Sequence, residues 1–283
     1  MSAQDSGLNN IPTYKVKASQ SWSHLDLKEL WERRELLFFL AWRDIKVRYK
    51  QTVIGAGWAI IQPVATMLVF SVFFGGMLKI SSNGIPYPVF SYAALVPWTF
   101  FANSVGQASN SLVSNGFLLR KVYFPRLILP IADILAGGVD FILAFVVLLV
   151  MMMFFGLVPR VEALVVIPAL LFILVITALG ISLWLSGFNV RYRDIQYIVP
   201  FLIQIWMYAT PIVYSSNVLT GPLRVLYSLN PMTPVVEGFR WALVGGADLS
   251  LSMFLTAGIT ALILLISGLI YFQRAEGTFA DVL

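Results

Sequence analysis

The sequence contains no cysteine, a single histidine and only 12% charged residues among its 283 positions. The missing cysteines exclude disulfides, thiolate zinc sites, iron–sulfur clusters and cysteine nucleophiles, and one histidine argues against a histidine-built metal centre. Soluble proteins carry about 25% charged residues, so this chain has too little polar surface to cover a water-soluble body. The composition therefore indicates a protein of the lipid bilayer and not a metalloenzyme.

A phosphate-binding loop is also missing. No lysine is followed by serine or threonine, so the motif G-x-x-x-x-G-K-[ST] cannot occur. If nucleotide drives this protein, we expect another chain to bind the ATP and its Mg²⁺, and we expect no cofactor on this chain.

Apolar residues make up 59% of the chain and form six largely uncharged runs, each long enough to cross a bilayer at about 1.5 Å per residue. The predicted spans are residues 52–78, 91–113, 127–156, 164–188, 195–214 and 249–273. The sequence thus predicts an all-α integral membrane protein with six transmembrane helices in a domain of residues 52–275. Residues 1–51 are expected to form a cytosolic N-terminal region and residues 276–283 a cytosolic tail.

The orientation follows from the basic residues. With the N-terminus inside, 15 of the 19 lysine and arginine residues lie on the cytosolic side, which favours two cytosolic termini in the cytoplasmic membrane. Most of this charge borders the spans and no recognition motif accompanies it, so we expect no nucleic-acid partner.

Residues 25–50 carry an apolar helical face, but their longest uncharged run is too short to cross the membrane. They predict an amphipathic helix on the cytosolic surface of the membrane. A helix packed on a soluble partner is an equal alternative. The candidate membrane-interface residues are Trp31, Trp42, Arg43, Arg48 and Lys50.

The connection between the fifth and sixth spans is too long for a turn. It holds two short apolar stretches, residues 223–229 and 235–244, which predict half-helices that dip into the membrane from outside and return. Pro234 suits the first position of the second half-helix, with Thr233 as its cap. A hairpin lying on the outer surface is the alternative.

Residues 115–130, NGFLLRKVYFPRLILP, join the second and third spans at the cytosolic side. Tyr123 and Phe124 suit a groove on a soluble subunit, with basic side chains at its rim. These basic residues are Arg120, Lys121 and Arg126. Aromatic anchoring at the interface and ordinary cytosolic charge explain part of the same pattern.

Charges inside spans are costly and mark functional candidates. Asp133 and Asp140 share a face of the third span, which raises proton-coupled transport as a rival function. No basic partner stands near them in the sequence, and an interhelical hydrogen bond at a subunit interface explains them structurally. Glu237 and Arg240, three residues apart, are expected to pair on the second half-helix.

Three polar or amphipathic side chains lie deep in the fifth span. Gln204, Trp206 and Tyr208 carry groups that need partners in hydrocarbon, so they are candidates for a substrate path used by hydroxylated sugars. Burial against a neighbouring span is the competing interpretation.

Several ordered blocks carry a resemblance along the chain after about residue 21. They are RDIKVRYKQTVIGAGWAIIQP (43–63), KVYFPRLILP (121–130), RYRDI (191–195), TPIVY (210–214) and NPMTPVVEGFRWALVG (230–245). In this order they resemble the membrane subunits, or permeases, of ABC exporters for lipid-linked polysaccharides such as O-antigen, capsule and teichoic acid.

The resemblance implies a half-transporter that pairs with a second copy of itself and with two ATPase subunits. It implies that the surface helix and residues 115–126 contact the ATPase, and that the half-helices of residues 223–244 form an outer gate. The expected substrate is a lipid-linked polysaccharide moved outward. An ABC exporter of a drug or small lipid is the alternative. A membrane glycosyltransferase is disfavoured, because Asp194 beside Arg191 and Arg193 is too sparse an acidic site.

Overall fold

The computed structural model describes residues 27–50, 55–215, 227, 229–245 and 250–282, and these residues form helices joined by turns and short loops, without strands. The helices are α1 (Leu27–Glu32), α2 (Arg34–Lys50), α3 (Gly57–Phe70, continued by a π-helix at Ser71–Met77), α4 (Tyr87–Ser114), α5 (Gly116–Lys121), α6 (Ile128–Phe154), α7 (Ala163–Arg191), α8 (Ile195–Tyr208), α9 (Met232–Leu243) and α10 (Leu251–Val282).

Within these ranges, four helical segments are long and apolar enough to cross a membrane. They are Gly57–Met77, Ile128–Phe154, Ala163–Arg191 and Leu251–Gly277. The prediction of an all-α membrane protein is confirmed at this level. α8, with 14 residues, is about 21 Å long at 1.5 Å per residue, which is shorter than the hydrocarbon core of about 30 Å.

α4 occupies the centre of the bundle and packs against α3, α6, α7, α8 and α9. It begins after Pro86 and carries Pro88 in its first turn, where the missing N–H needs no partner within the helix. Most of its first half is buried by protein and not by lipid. Its 28 residues include four buried serines, Ser91, Ser104, Ser109 and Ser111, whose small polar side chains are typical of helix contacts in membranes.

α7 and α10 approach each other closely at two glycines. A Cβ added at Gly268 would lie 2.4 Å from the carbonyl oxygen of Gly180, and one added at Gly180 would lie 2.6 Å from backbone atoms of Leu264. One turn along, the ring of Trp184 stacks on that of Tyr271 with centroids 4.4 Å apart. Small residues at the crossing thus let the two backbones touch, as in other membrane helix pairs.

Two ends of the bundle can be distinguished. At the end that we call the α2 end, Leu40 and Ala41 of α2 pack with Phe124, Ile128 and Phe272 in a buried apolar cluster. At the opposite end, called the α9 end, the backbone N–H of Arg160 donates to the carbonyl of Ala242. A larger core of α4, α6, α7 and α9 residues lies between the ends.

Helix boundaries correct the sequence-based prediction at the half-helices. α9 begins at Met232, not at Pro234, and Thr233 is not its cap. The side-chain oxygen of Asn230 accepts a hydrogen bond of 3.0 Å from the Met232 N–H instead. Of the first predicted half-helix, residues 223–229, only Tyr227 and Leu229 belong to the described residues.

Candidate coupling surface and transport face

We call residues 115–126, which join α4 to α6, the connector. Its two predicted aromatic contacts, Tyr123 and Phe124, lie in different environments. The Tyr123 side chain is 71% exposed at the α2 end, whereas Phe124 is only 4% exposed and packs in the apolar cluster with Leu40 and Ile128. The prediction that Phe124 is available to a partner is therefore wrong. Proline follows directly at position 125, and it holds Phe124 in an extended conformation.

The basic residues of the connector also differ in position. Arg120 and Lys121 are exposed, and the Lys121 ammonium lies 4.1 Å from the ring centroid of Phe117, itself 72% exposed. Arg126 instead turns inward, where its guanidinium donates to the main-chain carbonyl of Glu276 and lies 4.0 Å from the Glu276 carboxylate. Arg126 thus connects this segment to α10. The outward surface consists of Phe117, Arg120, Lys121, Val122 and Tyr123.

The phenol of Tyr123 lies near acidic groups. The negative charge of Glu29 on α1, followed by burial and by Glu276, raises the pKa of Tyr123 above its ordinary value. The phenol therefore remains protonated at neutral pH, and it presents an uncharged hydrogen-bond donor beside the cations of α5.

α1 and α2 show the predicted interface residues in two environments. Trp31 is 70% and Trp42 48% exposed, and a basic side chain lies 5.4 Å from each ring centroid, Arg34 at Trp31 and Lys46 at Trp42. Lys50 is exposed as well. The guanidinium of Arg43, in contrast, donates to the side-chain oxygen of Asn115 at 3.0 Å and so joins α2 to the end of α4.

The C-terminal end of α2 supplies partners for Asp140, which has no basic residue near it in the sequence. The guanidinium of Arg48 and the phenol of Tyr49 both donate to the carboxylate of Asp140 on α6. Burial, with this hydrogen bond to Asp140, raises the pKa of Tyr49, so the phenol stays protonated and acts as a donor. The structure thus supplies a basic partner for Asp140, Arg48, from 92 residues away in the sequence. This contact attaches α2 to the first half of α6. Asp133, two helical turns earlier on α6, is half-buried.

Arg240 is the most densely bonded side chain at the α9 end. It is fully buried, and its guanidinium donates to the carbonyls of Phe90 (3.1 Å), Pro211 (2.6 Å), Tyr214 (3.1 Å) and Ile212. The predicted ion pair is present, with Arg240 at 3.5 Å from the Glu237 carboxylate. Arg240 thereby binds α9 to α4 and to the chain after α8.

Asn230 makes a second junction at the same end. Its side-chain oxygen accepts a 2.9 Å hydrogen bond from the indole of Trp206, and its amide nitrogen donates to the Thr210 hydroxyl at 3.1 Å. Trp206 also packs edge-on against Phe101, with centroids 5.2 Å apart. The indole N–H therefore has a protein partner, as the burial alternative expected. An asparagine before proline and helix, a common capping residue, was the available sequence signal.

Gln204 and Tyr208 lie on a different face of α8 from Trp206. Both are exposed, and they share that face with Tyr197 and Phe201 at spacings of four and three residues. The exposed fractions of Tyr197, Phe201 and Tyr208 are 75%, 62% and 62%. Tyr197 and Phe201 are not among the residues predicted from the sequence, although their helical spacing from Gln204 could have identified them.

Comparison with known proteins places these features in a family. A family model described as "ABC-2 type transporter" matches residues 35–244, which is well over half of the chain. The matched region contains α2, the connector and α9.

Individual relatives match over most of their length. The chain is 29% identical over 250 residues to the O-antigen export system permease protein RfbA of Klebsiella pneumoniae, covering 88% of this chain and 95% of that protein. It is 30% identical over 217 residues to RfbA of Myxococcus xanthus, covering 76% and 82%. It is 23% identical over 239 residues to the polysialic acid transport protein KpsM of Escherichia coli, covering 83% and 91%.

Proposed function

The chain belongs to the ABC-2 type transporter family, and we propose that it is the membrane subunit of an ATP-driven exporter that moves lipid-linked polysaccharide outward across the cytoplasmic membrane. The observation that carries this proposal is the similarity to an O-antigen export permease over 88% of the chain and 95% of the relative. Such coverage includes both ends of the bundle, so it is not limited to one shared motif.

A direct test removes the protein from a polymer-producing host. We expect lipid-linked polymer to accumulate inside the cell while surface polymer, measured with a specific antibody, falls to background. Re-expression of the chain should restore the surface signal. Normal surface polymer without the chain would contradict the substrate class and would favour the drug or small-lipid alternative.

We propose that six helices span the membrane. α4 joins the four long apolar segments because its 28 residues are long enough to cross the bilayer and most of its first half is buried by other helices. α8 reaches further through the turn of residues 209–215. In this arrangement α9 is a re-entrant half-helix at the outer side, and the α2 end faces the cytosol with both termini. The domain limits remain those of the sequence, 1–51, 52–275 and 276–283.

Single cysteines test the orientation. A cysteine at Ser82, in the loop between α3 and α4, should react with an impermeant thiol reagent from outside the cell. A cysteine at Ser19, outside the described residues, should react only after the membrane is opened, because basic residues keep its side in the cytosol. Equal reaction of both in intact cells would contradict the orientation.

Energy is proposed to come from two ATPase subunits that bind ATP and Mg²⁺ and dock on two copies of this chain. Their contact surface would be the exposed part of the connector, Phe117, Arg120, Lys121, Val122 and Tyr123, next to α1. An aromatic core with a basic rim is typical of sites that dominate binding energy in protein interfaces. α2 then carries the contact to α6 through Arg48 and Asp140.

Tyr123 and Phe124 should respond differently to alanine. Tyr123→Ala removes an exposed ring, so we expect an unchanged thermal stability but at least a tenfold weaker binding of the ATPase, since interface anchors contribute about 2 kcal/mol or more. Phe124→Ala empties a buried site and should destabilise the chain by about 3 to 5 kcal/mol. Melting and co-purification of the two variants check this. Equal behaviour of the two in both assays would contradict the assignment.

Two further roles complete the proposal. The α9 end, with Glu237 and Arg240, would form the outer gate, and the exposed α8 face with Gln204 and Tyr208 would contact the sugars. Aromatic rings offer flat surfaces to the apolar faces of sugars without enclosing them. Trp206 would support this face from behind through Asn230.

A further inference from the structure

The accessible face of α4 is polar in its second half. Six residues at helical spacing form what we call the α4 stripe: Thr99, Asn103, Gly106, Gln107, Asn110 and Ser114. Each is at least partly accessible, and Gln107 and Ser114 are exposed. A Cβ added at Gly106 would meet no atom within 4 Å. The stripe therefore borders open space in the described chain.

The accessible faces of α6 and α10 are largely apolar, as lipid contact requires. On α6 the exposed side chains include Ile142 (60%) and Val146 (50%), and on α10 they include Ile259 (57%) and Ile266 (56%). α4 has 28 residues and is about 42 Å long at 1.5 Å per residue, so Asn103 lies within about 4 Å of its midpoint. A polar side chain at that depth is costly against lipid tails.

Polar groups of three helices meet beside the stripe. Gln62 of α3, Thr99 and Asn103 of α4 and Asp140 of α6 border a cavity of about 20 Å³. A site of this size and polarity can hold one water molecule, which needs about 10 to 15 Å³ and several polar partners. The stripe is thus continuous with hydrogen-bonding groups on its neighbours.

Several of these side chains have unused hydrogen-bonding capacity. Within the described ranges, no side-chain hydrogen bond is formed by Gln62, Thr99, Asn103 or Gln107, whereas Asn110 accepts one of 2.6 Å from Asn189. Asn and Gln amides each offer two donors and an oxygen acceptor. They carry no charge, so an ionic partner is not favoured, and the complementary partner is a neutral group rich in hydroxyls or water.

We propose that the α4 stripe lines the path of the sugar chain, with the amides of Asn103 and Gln107 exchanging hydrogen bonds with water and with sugar hydroxyls. This inference rests on the proposed function and adds α4 to the helices that would contact its substrate. A neutral hydrogen bond in exchange with water contributes only about 0.5 to 1.5 kcal/mol net. Such contacts replace one another at little cost, which lets a polymer slide.

Cysteine labelling tests whether the stripe is wet. The native chain has no cysteine, so Asn103→Cys and Gln107→Cys each give this chain a single thiol. We expect a charged, water-soluble methanethiosulfonate to modify both at least tenfold faster than Val146→Cys, an exposed position on the apolar face of α6. Thiolates, the reacting form, exist in water and not in lipid.

Other outcomes overturn the proposal. Labelling as slow as that of Val146→Cys would place the stripe in lipid. Slow labelling together with an oxidant-induced disulfide between two copies at Gln107→Cys would make it a packing surface of the dimer. This readout does not depend on transport, so it stands even if the polysaccharide function fails.

A transport assay tests whether the α4 stripe contributes to polymer export. Asn103→Leu with Gln107→Leu should lower polymer export at least fivefold, while the amount of assembled complex stays the same. Val146→Leu should leave export unchanged. Normal export by the double variant would remove the stripe from the path. If the unmodified complex itself moved no polysaccharide, the proposed function would fail, and the labelling result would still decide whether the stripe is wet.

Discussion

Replacing Arg240 with methionine is expected to destabilise the protein severely. Methionine fills a similar volume but donates no hydrogen bond, so the carbonyls of Phe90, Pro211 and Tyr214 lose donors at 3.1, 2.6 and 3.1 Å. The Glu237 carboxylate, only 2% exposed, also loses its cation. Breaking a buried ion pair from one side costs about 3 to 5 kcal/mol, because the remaining charge stays buried.

The measurement is thermal melting of the purified protein in detergent. A cost of this size should lower the Tm by roughly 10 °C, given about 2 to 4 °C per kcal/mol for a domain of this size. Arg160→Met provides the control, since Arg160 is exposed and lies 4.9 Å from the ring of Trp241 at the same end. An equal Tm for the two variants would show that the Arg240 contacts do not hold α9 in place.

Replacing Glu237 tests the proposed outer gate separately from the contribution of Arg240 to stability. Glu237→Gln leaves the carbonyl contacts of Arg240 intact, so its effect should exceed that of breaking an exposed outer pair but remain below that of Arg240→Met. Combining Glu237→Gln with Arg240→Met should be less harmful than Arg240→Met alone, because no buried carboxylate is stranded. Unchanged export and melting in Glu237→Gln would favour the surface hairpin over an outer gate.

The long helices could be predicted because the bilayer sets their length. α6 and α7 begin and end within three residues of the predicted limits, since uncharged runs end where polar surroundings begin. α4 shows the limit of this rule. Its predicted span, residues 91–113, lies within the longer observed helix Tyr87–Ser114, and hydropathy alone does not show which of its faces are covered by neighbouring helices.

Contacts between distant segments could not be predicted in this way. Arg48 and Asp140 lie 92 residues apart, and periodicity within either helix says nothing about which helices become neighbours. Tyr123 and Phe124 show the same limit on a smaller scale. Both are aromatic and adjacent, and the packing of α2 with its neighbouring helices decides which one is covered. Pairing at short range, as between Glu237 and Arg240, was predicted correctly because the helix itself sets that spacing.

Breaking the contact between Arg48 and Asp140 is expected to stop most transport. The two side chains are 26% and 13% exposed, so their pairing should contribute more than the 0 to 1 kcal/mol or so of a surface pair. Asp140→Asn weakens the hydrogen bonds that Arg48 and Tyr49 both donate to this side chain. As a result, α2 should separate from the first half of α6. We expect export to fall about tenfold, with the ATPase still bound through the connector.

A charge exchange distinguishes this role from proton transport. Arg48→Asp combined with Asp140→Arg restores opposite charges on the same two helices, and it should recover a substantial part of export if the pair acts as a mechanical link. Asp44→Asn is the matched control on α2, because the ion-pair partner of Asp44 is its neighbour Arg43 on the same helix. A proton carrier at Asp140 predicts the reverse. The exchanged pair would remain inactive, because arginine cannot release its proton at physiological pH, and export would follow the proton gradient when ATP is absent.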